Sequence, residues 1–531
     1  MLAVPGLVAF PRLALGEPSQ SVRQHGARGD GKASDTAAIQ KAIDAAGAGG
    51  VVLFPRGDYL SGTLHLRDGV TVQLDAGATL LASRDDEDFD HYSPPDYDSF
   101  ADRETTDFTF ALIQGHDLEH VAIVGPGRID GNRRARGGPK PIALKECRHV
   151  AIRGVTLVNA PSYNLSLLGC DDVDIRGVTI RNGYADGIDP DCCRRVRISG
   201  CRVESRDDAI CLKASLALGT RRSTEYVVVT DCELVNVRNG LKIGTESCGD
   251  FRNIVFRNCR LSGRPEPFNP PSALDVRPFP SAGISIQNVD GGRLEQVVVS
   301  NITMANIRAP IFVRLGERGA GQPKPVAGEL TKVTITDVVA TGADWTSSIM
   351  GVPGRDVTDI ALSNIRISGK GGGAAALVDK PVPEKEREYP DAARFRNLPA
   401  YGLYCRHVTR LRVDRTTMKV EKPDPRPAVV LDDVNEANVR GLAVTAPSKG
   451  AAVVWLRSAQ DCVLSGIRAP GAAALARLSE AETARVRVVA AGGPRQVVLV
   501  DRGVEAAALR TEGPVTRRES PAAEPRGVAG E

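Results

Sequence analysis

Aromatic residues are scarce in this 531-residue chain, at 4%, so its core cannot rest on clusters of large rings. Val, Ile, Leu and Ala supply the apolar volume instead, and 54 Gly and 34 Pro punctuate it. That balance favours many short buried strands separated by turns. An excess of one charge sign is missing as well. The 68 Lys+Arg and 65 Asp+Glu leave a formal net charge of +3 with no long single-sign run, which argues against bulk-charge binding to nucleic acid or a membrane surface. No stretch approaches the ~18 consecutive apolar residues of a membrane span. The eleven cysteines are odd in number and lack CxxC spacing, which argues against a zinc site and leaves mostly buried free thiols packing as small hydrophobes.

The first twenty residues, MLAVPGLVAFPRLALGEPSQ, are apolar and rich in small residues but have no basic segment before them. They read either as the remnant of an export signal or as an irregular N-terminal arm.

Length alone suggests three or four domains, about 150 residues each, but a solenoid lengthens without thickening. One pattern recurs between about residues 145 and 370: a few β-branched residues, a polar bend, then another short apolar strand. It reads HVAIRGVTLVN from His149, DVDIRGVTIRN from Asp172, RVRISGCRVES from Arg195 and YVVVTDCELVN from Tyr226. It continues as NIVFRNCRLSG from Asn253, QVVVSNITMAN from Gln296, KVTITDVVATG from Lys332 and DIALSNIRISG from Asp359. The first three copies start 23 residues apart (172 − 149 and 195 − 172). No amphipathic helix separates the strands, and the spacing fits neither leucine-rich repeats nor propeller blades. The expected fold is all-β, a right-handed parallel β-helix. Its register predicts one interior column: Val155, Val178, Cys201, Cys232, Cys259, Ile302, Val338 and Ile365.

An open β-helix end needs a cover. SDTAAIQKAIDAAGAGG supplies a short N-terminal capping helix, with Ser34 or Asp35 as its cap, Ile39, Ala42, Ile43 and Ala46 as its apolar stripe, and Gly47 to Gly50 ending it. Residues 21–505 are expected to form a single β-helical domain, with the site-bearing coils at about 145–320 and weaker coils at 400–505. The polar stretch 506–531 reads as a disordered tail.

Five carboxylates fall in YADGIDPDCCRRVRISGCRVESRDDAICLK, from Tyr184 to Lys213: Asp186, Asp189, Asp191, Asp207 and Asp208. With Val173, Val196 and Val227 as equivalent starts, Asp186 lies 13 residues into its coil, Asp208 12 into the next, and Asn239 12 into the third. Stacked at the strand spacing of roughly 4.8 Å, Asp186, the Asp207-Asp208 pair and Asn239 form one lateral column. Crowded carboxylates cannot all ionise easily, which supplies the acid and base that glycosidic-bond cleavage requires. The same residues are also compatible with ordinary solvated turns or a Ca²⁺ site.

ADGID at 185–189, RDDAICLKAS at 206–215 and NGLKIGTES at 239–247, with the opening segment GARGDGKASDTAAIQKAIDAAGAGGVVLFPRGDYLSGTLHL, resemble the motifs of glycoside hydrolase family 28, the polygalacturonase family. The resemblance covers roughly residues 20–440. It implies inverting hydrolysis with Asp207 as general acid and Asp186 and Asp208 as the bases that activate water. The sequence departs from the family at Tyr184-Ala185-Asp186, where an Asn-Thr-Asp is usual, at Arg238-Asn239-Gly240 for Gly-His-Gly, and at Ser285-Ile286-Gln287 for the Arg-Ile-Lys that holds the substrate carboxylate. Losing that Arg and Lys removes two charge-assisted contacts of ~1.5 to 3 kcal/mol each.

Lys213, Lys242, Arg277 and Arg314 are the basic residues placed to replace them, and Asp189 and Asn239 join them as substrate-binding candidates. The expectation is a secreted or periplasmic, monomeric glycosidase acting on a pectin-related polysaccharide or oligosaccharide, with no metal or cofactor and neither nucleic acid nor membrane as partner. Insertions near residues 102 and 262 would wall off one end of a groove and favour exo action. The alternatives are a Ca²⁺-dependent lyase on the same fold and a non-catalytic carbohydrate-binding β-helix.

Overall fold

A computed structural model describes residues 19–236, 238–263, 281–490 and 496–520. They divide into two compact units. The first comprises residues 1–342 together with Lys385–Arg394, and the second residues 343–384 together with 395–531.

The first unit is a parallel β-helix, as the period requires. Each coil in its centre gives three short strands, one per face. Leu165–Leu168, Asp171–Arg176 and Thr179–Gly183 are followed by Ile188–Asp191, Arg194–Ser199 and Arg202–Ser205 on the next coil. Val150, Val173, Val196 and Val227 are in register across consecutive strands, which is the alignment the 23-residue spacing predicts. Every member of the expected interior column is buried. Cys201, Cys232 and Cys259 stack as hydrogen-bonded thiols, and Cys147, Cys170 and Cys193 form a second such ladder. All eleven cysteines are free and buried.

Two corners of each coil use left-handed backbone. One falls at the polar bend, on Gly154, Gly177, Gly200, Asp231, Asn258, Asn301 and Asp337, residue types that tolerate this conformation. The other falls just before each strand start, on His149, Asp172, Arg195, Tyr226, Asn253, Gln296 and Lys332, all with φ between 55° and 59°. Here stacking of the coils overrides the local preference of Arg, Tyr and Lys.

The helix Thr36–Ala46 covers the first coil with Ile39, Ala42 and Ile43 buried. Asp35 stands at its N-cap position but does not cap it; its carboxylate instead accepts from the backbone N–H groups of Arg28 (2.6 Å) and Gly29 (2.9 Å). The strands expected after it form at Val51–Phe54, Gly57–Ser61, Leu64–His65, Thr71–Leu74 and Ala78–Ala82.

The second unit is also β-helical. Leu403–Asp414, Val429–Asn435, Ala452–Arg457, Ala474–Ser479, Gln496–Val500 and Val515–Glu519 pair successively in parallel. The expected tail is therefore corrected for residues 506–520. Leu509–Glu512 and Val515–Glu519 are strands that add to Val486–Val489 and Gln496–Val500, because an exposed end strand can be polar on its open side and still satisfy its backbone on the neighbouring coil. No helix among the described residues is long and apolar enough to cross a membrane.

Candidate active site

The acids sit on one sheet of the first unit, made by Leu165–Leu168, Ile188–Asp191, Ile210–Ala214, Asn239–Ser247 and Ala282–Asn288. The pairs Ile188↔Ile210 and Ile210↔Leu241 place Asp186, Asp208 and Asn239, each two residues earlier, at the same level. Backbone bonds run between these levels from Gly187 N–H to the Asp208 carbonyl (2.8 Å) and from Ala209 N–H to the Asn239 carbonyl (2.9 Å). Gly187 permits this closeness, since a Cβ there would lie 2.4 Å from both the Ala209 carbonyl oxygen and Val203 Cγ1. The Ser205 hydroxyl donates to the carbonyls of Asp207 (3.3 Å) and Asp208 (3.1 Å) and fixes the turn that carries the pair.

The side chains interlock rather than lying open on an outer face. Asp186 Oδ1 accepts from the Asp208 N–H (3.1 Å), and Asp208 accepts from Asn239 Nδ2 (2.6 Å) and Lys242 Nζ (2.7 Å). Lys213 Nζ donates to Asp186 (3.2 Å) and Asp189 (2.9 Å) and lies 4.0 Å from the centre of the Tyr163 ring. Asp191 is engaged elsewhere, by the Ser215 N–H (2.8 Å) and hydroxyl (2.5 Å). Asp186 and Asp208 are 4% and 2% exposed.

Burial pushes the Asp186 carboxyl well above the usual carboxylate range; Lys213 opposes the shift, while Asp207, Asp208 and Asp189 add to it. Burial also pushes Asp189 up to about 7 against the pull of Lys213. For Lys213 and Lys242 burial disfavours the charge, but the surrounding acids and tyrosines outweigh it and raise both pKa values well above the ordinary lysine value. Asp207 goes the other way. Burial would raise it, but Arg238, Arg136 and Lys242 together hold it below the usual range. The environment thus favours the protonated form at Asp186 and the ionised form at Asp207, the acid implied by the resemblance.

The sequence reading finds Asp186, Asp189, Asp207, Asp208, Lys213, Asn239 and Lys242 in one cluster, and the structure brings all seven together. It does not bring Arg314 to their level. The acids' level continues through Asn239↔Ala282↔Ala309, and Arg314 is buried five residues further along that strand (314 − 309), opposite Gln287. Arg277 lies outside the described residues. Lys213 and Lys242 point at acids and are buried, so neither presents a free ammonium group to an incoming anion. Ser285 and Gln287 are buried and hydrogen-bonded to each other (2.8 Å).

Other contributors were missed by sequence reasoning. Arg136 Nη1 donates to Asp207 Oδ2 (2.7 Å), and Arg238 Nη1 lies 3.6 Å from Asp207 Oδ1. Glu104 pairs with Arg136, Asp391 with Arg238 (3.5 Å), and the Tyr389 hydroxyl accepts from Lys242 (3.4 Å). Arg238 sits at the same offset from Val227 as Asp207 from Val196 (238 − 227 and 207 − 196), so the register could have found it. Arg136, Glu104, Tyr389 and Asp391 come from loops without a period, so no spacing signal points to them. Asp186, Asp208 and Cys211 are near enough to surround a cation, but the ammonium groups of Lys213 and Lys242 already hold these acids. That donor set suits an internal ion-pair network better than a divalent metal.

Residues 50–218, which include all three acids of the expected catalytic set, match the model for Glycosyl hydrolases family 28. Over those residues the chain is similar to that family. It is 26% identical over 378 residues to a probable polygalacturonase of Vitis vinifera, covering 66% of this chain and 74% of the relative. An endo-polygalacturonase of Pectobacterium carotovorum subsp. carotovorum is 24% identical over 331 residues, covering 57% of this chain and 77% of that enzyme. Among solved structures, an exopolygalacturonase from Thermotoga maritima superposes with a TM-score of 0.54 at 21% identity, covering 66% of this chain and 87% of that one. This last likeness supports the β-helical fold. The chain is a glycoside hydrolase.

Proposed function

We propose that the chain hydrolyses a glycosidic bond in a pectin-related, uronate-containing polysaccharide or oligosaccharide by a single displacement with inversion. The observation that carries this reading is the Asp186–Asp208–Asn239 level with Asp207 at its side, inside the region that matches the family. Asp207 gives its proton to the leaving oxygen. Asp208, oriented by Lys242 and Asn239, takes the proton of the attacking water, and Asp186 holds Asp208 through its backbone N–H. The named relatives support a polygalacturonase-like substrate.

Exo action fits the insertion near residue 102. Its short helix Arg103–Thr106 is capped by Asp102, and with Tyr92, Phe110 and Arg136 it lines a cavity of about 690 Å³. The other insertion, at 264–280, lies outside the described residues. A polysaccharide substrate implies work outside the cytoplasm, in a secreted or periplasmic setting, by a single chain that needs no cofactor.

The test is a panel of defined pectic oligosaccharides with the anomeric form of the products followed by NMR. The reading expects inverted products from the wild type and none from Asp207→Asn. Binding without turnover in both proteins would overturn it in favour of a carbohydrate-binding β-helix, and an unsaturated product lost on chelation would favour a lyase.

A further inference from the structure

Asp207 cannot serve as a proton donor in the state the structure describes. One of its oxygens accepts from Arg136 at 2.7 Å and the other lies 3.6 Å from Arg238. A carboxylate bracketed by two guanidinium groups keeps its charge and gives up no proton at working pH. Each arginine is also tied to a second acid, Arg136 to Glu104 and Arg238 to Asp391.

The two arginines differ from the other cations of the site in being reachable. The side chains of Arg136 and Arg238 are each 35% exposed, against 4% for Lys213 and 3% for Lys242. Arg136 also lines the cavity of about 690 Å³, with Arg103 and Lys140. A planar guanidinium matches a sugar carboxylate as well as it matches Asp207, and an anion arriving through that cavity would compete for it.

We propose that Arg136 is the group that binds the substrate's uronate carboxylate, and that Asp207 is the internal anion it holds until the substrate arrives. The inference rests on the reading of the chain as a hydrolase of acidic polysaccharides. The incoming carboxylate takes the Arg136 fork, and Asp207, stripped of its closest cation, takes up a proton from solvent. That proton passes to the leaving oxygen as the bond to the anomeric carbon breaks, while water attacks that carbon and yields its own proton to Asp208. Asp208 returns a proton to solvent and Asp207 recaptures Arg136 as product leaves. A neutral sugar cannot displace Asp207, so the exchange selects acidic substrates at the chemical step as well as in binding. The charged groups facing Asp207 throughout are Arg136, Arg238, Lys242, Asp186 and its neighbour Asp208, with Glu104 and Asp391 behind the arginines.

The first test is calorimetric binding of trigalacturonate and of galactotriose to the full chain carrying Asp207→Asn, with and without Arg136→Gln. Removing the internal anion frees Arg136. The single variant should bind trigalacturonate more tightly than the double variant by about tenfold, with galactotriose unaffected. Equal trigalacturonate affinities would overturn the inference.

The second test is the kcat/KM pH profile of Arg136→Gln and Arg136→Lys on trigalacturonate and its methyl ester. In the Gln variant Asp207 loses a stabilising cation, so the limb that reports its loss of a proton should move to higher pH. The preference for acid over ester should fall about tenfold, with Lys restoring part of both. An equal loss on both substrates with an unmoved profile would mark Arg136 as merely structural. If the binding difference appears but the wild type cleaves neither oligosaccharide, the hydrolase reading fails while the carboxylate site stands.

Discussion

Asn239 donates its side-chain amide to Asp208 at 2.6 Å, at the position where the resemblance places a histidine. An amide carries no titrating proton, so Asn239 orients the base without sharing its proton. Asn239→Ala should lower kcat by about 10- to 100-fold with little change in KM, the loss expected for one hydrogen bond to a charged group. Steady-state kinetics on a cleaved pectic oligosaccharide would check this, and an unchanged kcat would remove Asn239 from the machinery.

Lys213 is the buried cation between Asp186 and Asp189. Lys213→Met leaves both acids without their counter-ion and should cost about 3–5 kcal/mol at neutral pH. In acid the two carboxyls are neutral, and the cost should shrink. Denaturant unfolding of both proteins at two pH values measures the difference.

Asp189 gives a pH dependence of definite sign. Its folded pKa, near 7, lies above the ordinary carboxylate value, so the folded chain binds the extra proton between about pH 4 and pH 7. Stability from this group is present in acid and lost as pH rises through that window. Relative to Asp189→Asn, the wild type should therefore lose stability over this range, as followed by melting temperature. A difference that stays flat from pH 4 to pH 7 would contradict it.

At Gly187 there is no room for a side chain, because the Ala209 carbonyl of the next coil and the Val203 side chain of its own coil both close on the position. Gly187→Ala should destabilise by about 1–3 kcal/mol and, by shifting the backbone that carries Asp186, reduce turnover further. Full activity with normal stability would show that the coils separate more easily than the packing implies.

All eleven thiols are free and buried. A thiol-reactive dye should label the native chain slowly and label eleven groups after denaturation, and a reductant should leave the melting temperature unchanged. A reductant-sensitive transition would point to a disulfide.

Much of this arrangement was legible because a β-helix turns sequence spacing into spatial level. The 23-residue interval aligned Val150, Val173 and Val196, and offsets counted from Val173, Val196 and Val227 set Asp186 beside Asp208 and Asn239. Most of what escaped had no period. Arg136 and Tyr389 come from loops far along the chain, and they decide which acids are charged. Residues 506–520 looked too polar for strands, yet a neighbouring coil satisfies their backbone. At Arg195, Tyr226 and Lys332 local preference argues against a left-handed corner, and only the stacking of coils imposes it.

The segment Lys385–Arg394 belongs to the first unit although residues 343–384 intervene, and its Tyr389 reaches Lys242 across 147 residues of sequence. During synthesis the coils bearing Asp186, Asp207 and Asp208 leave the ribosome long before Tyr389 and Asp391 do. A nascent chain can therefore stack its coils early and still lack the partners that finish the charge pattern, so enzymatic competence would arrive late, with the emergence of a ten-residue strap.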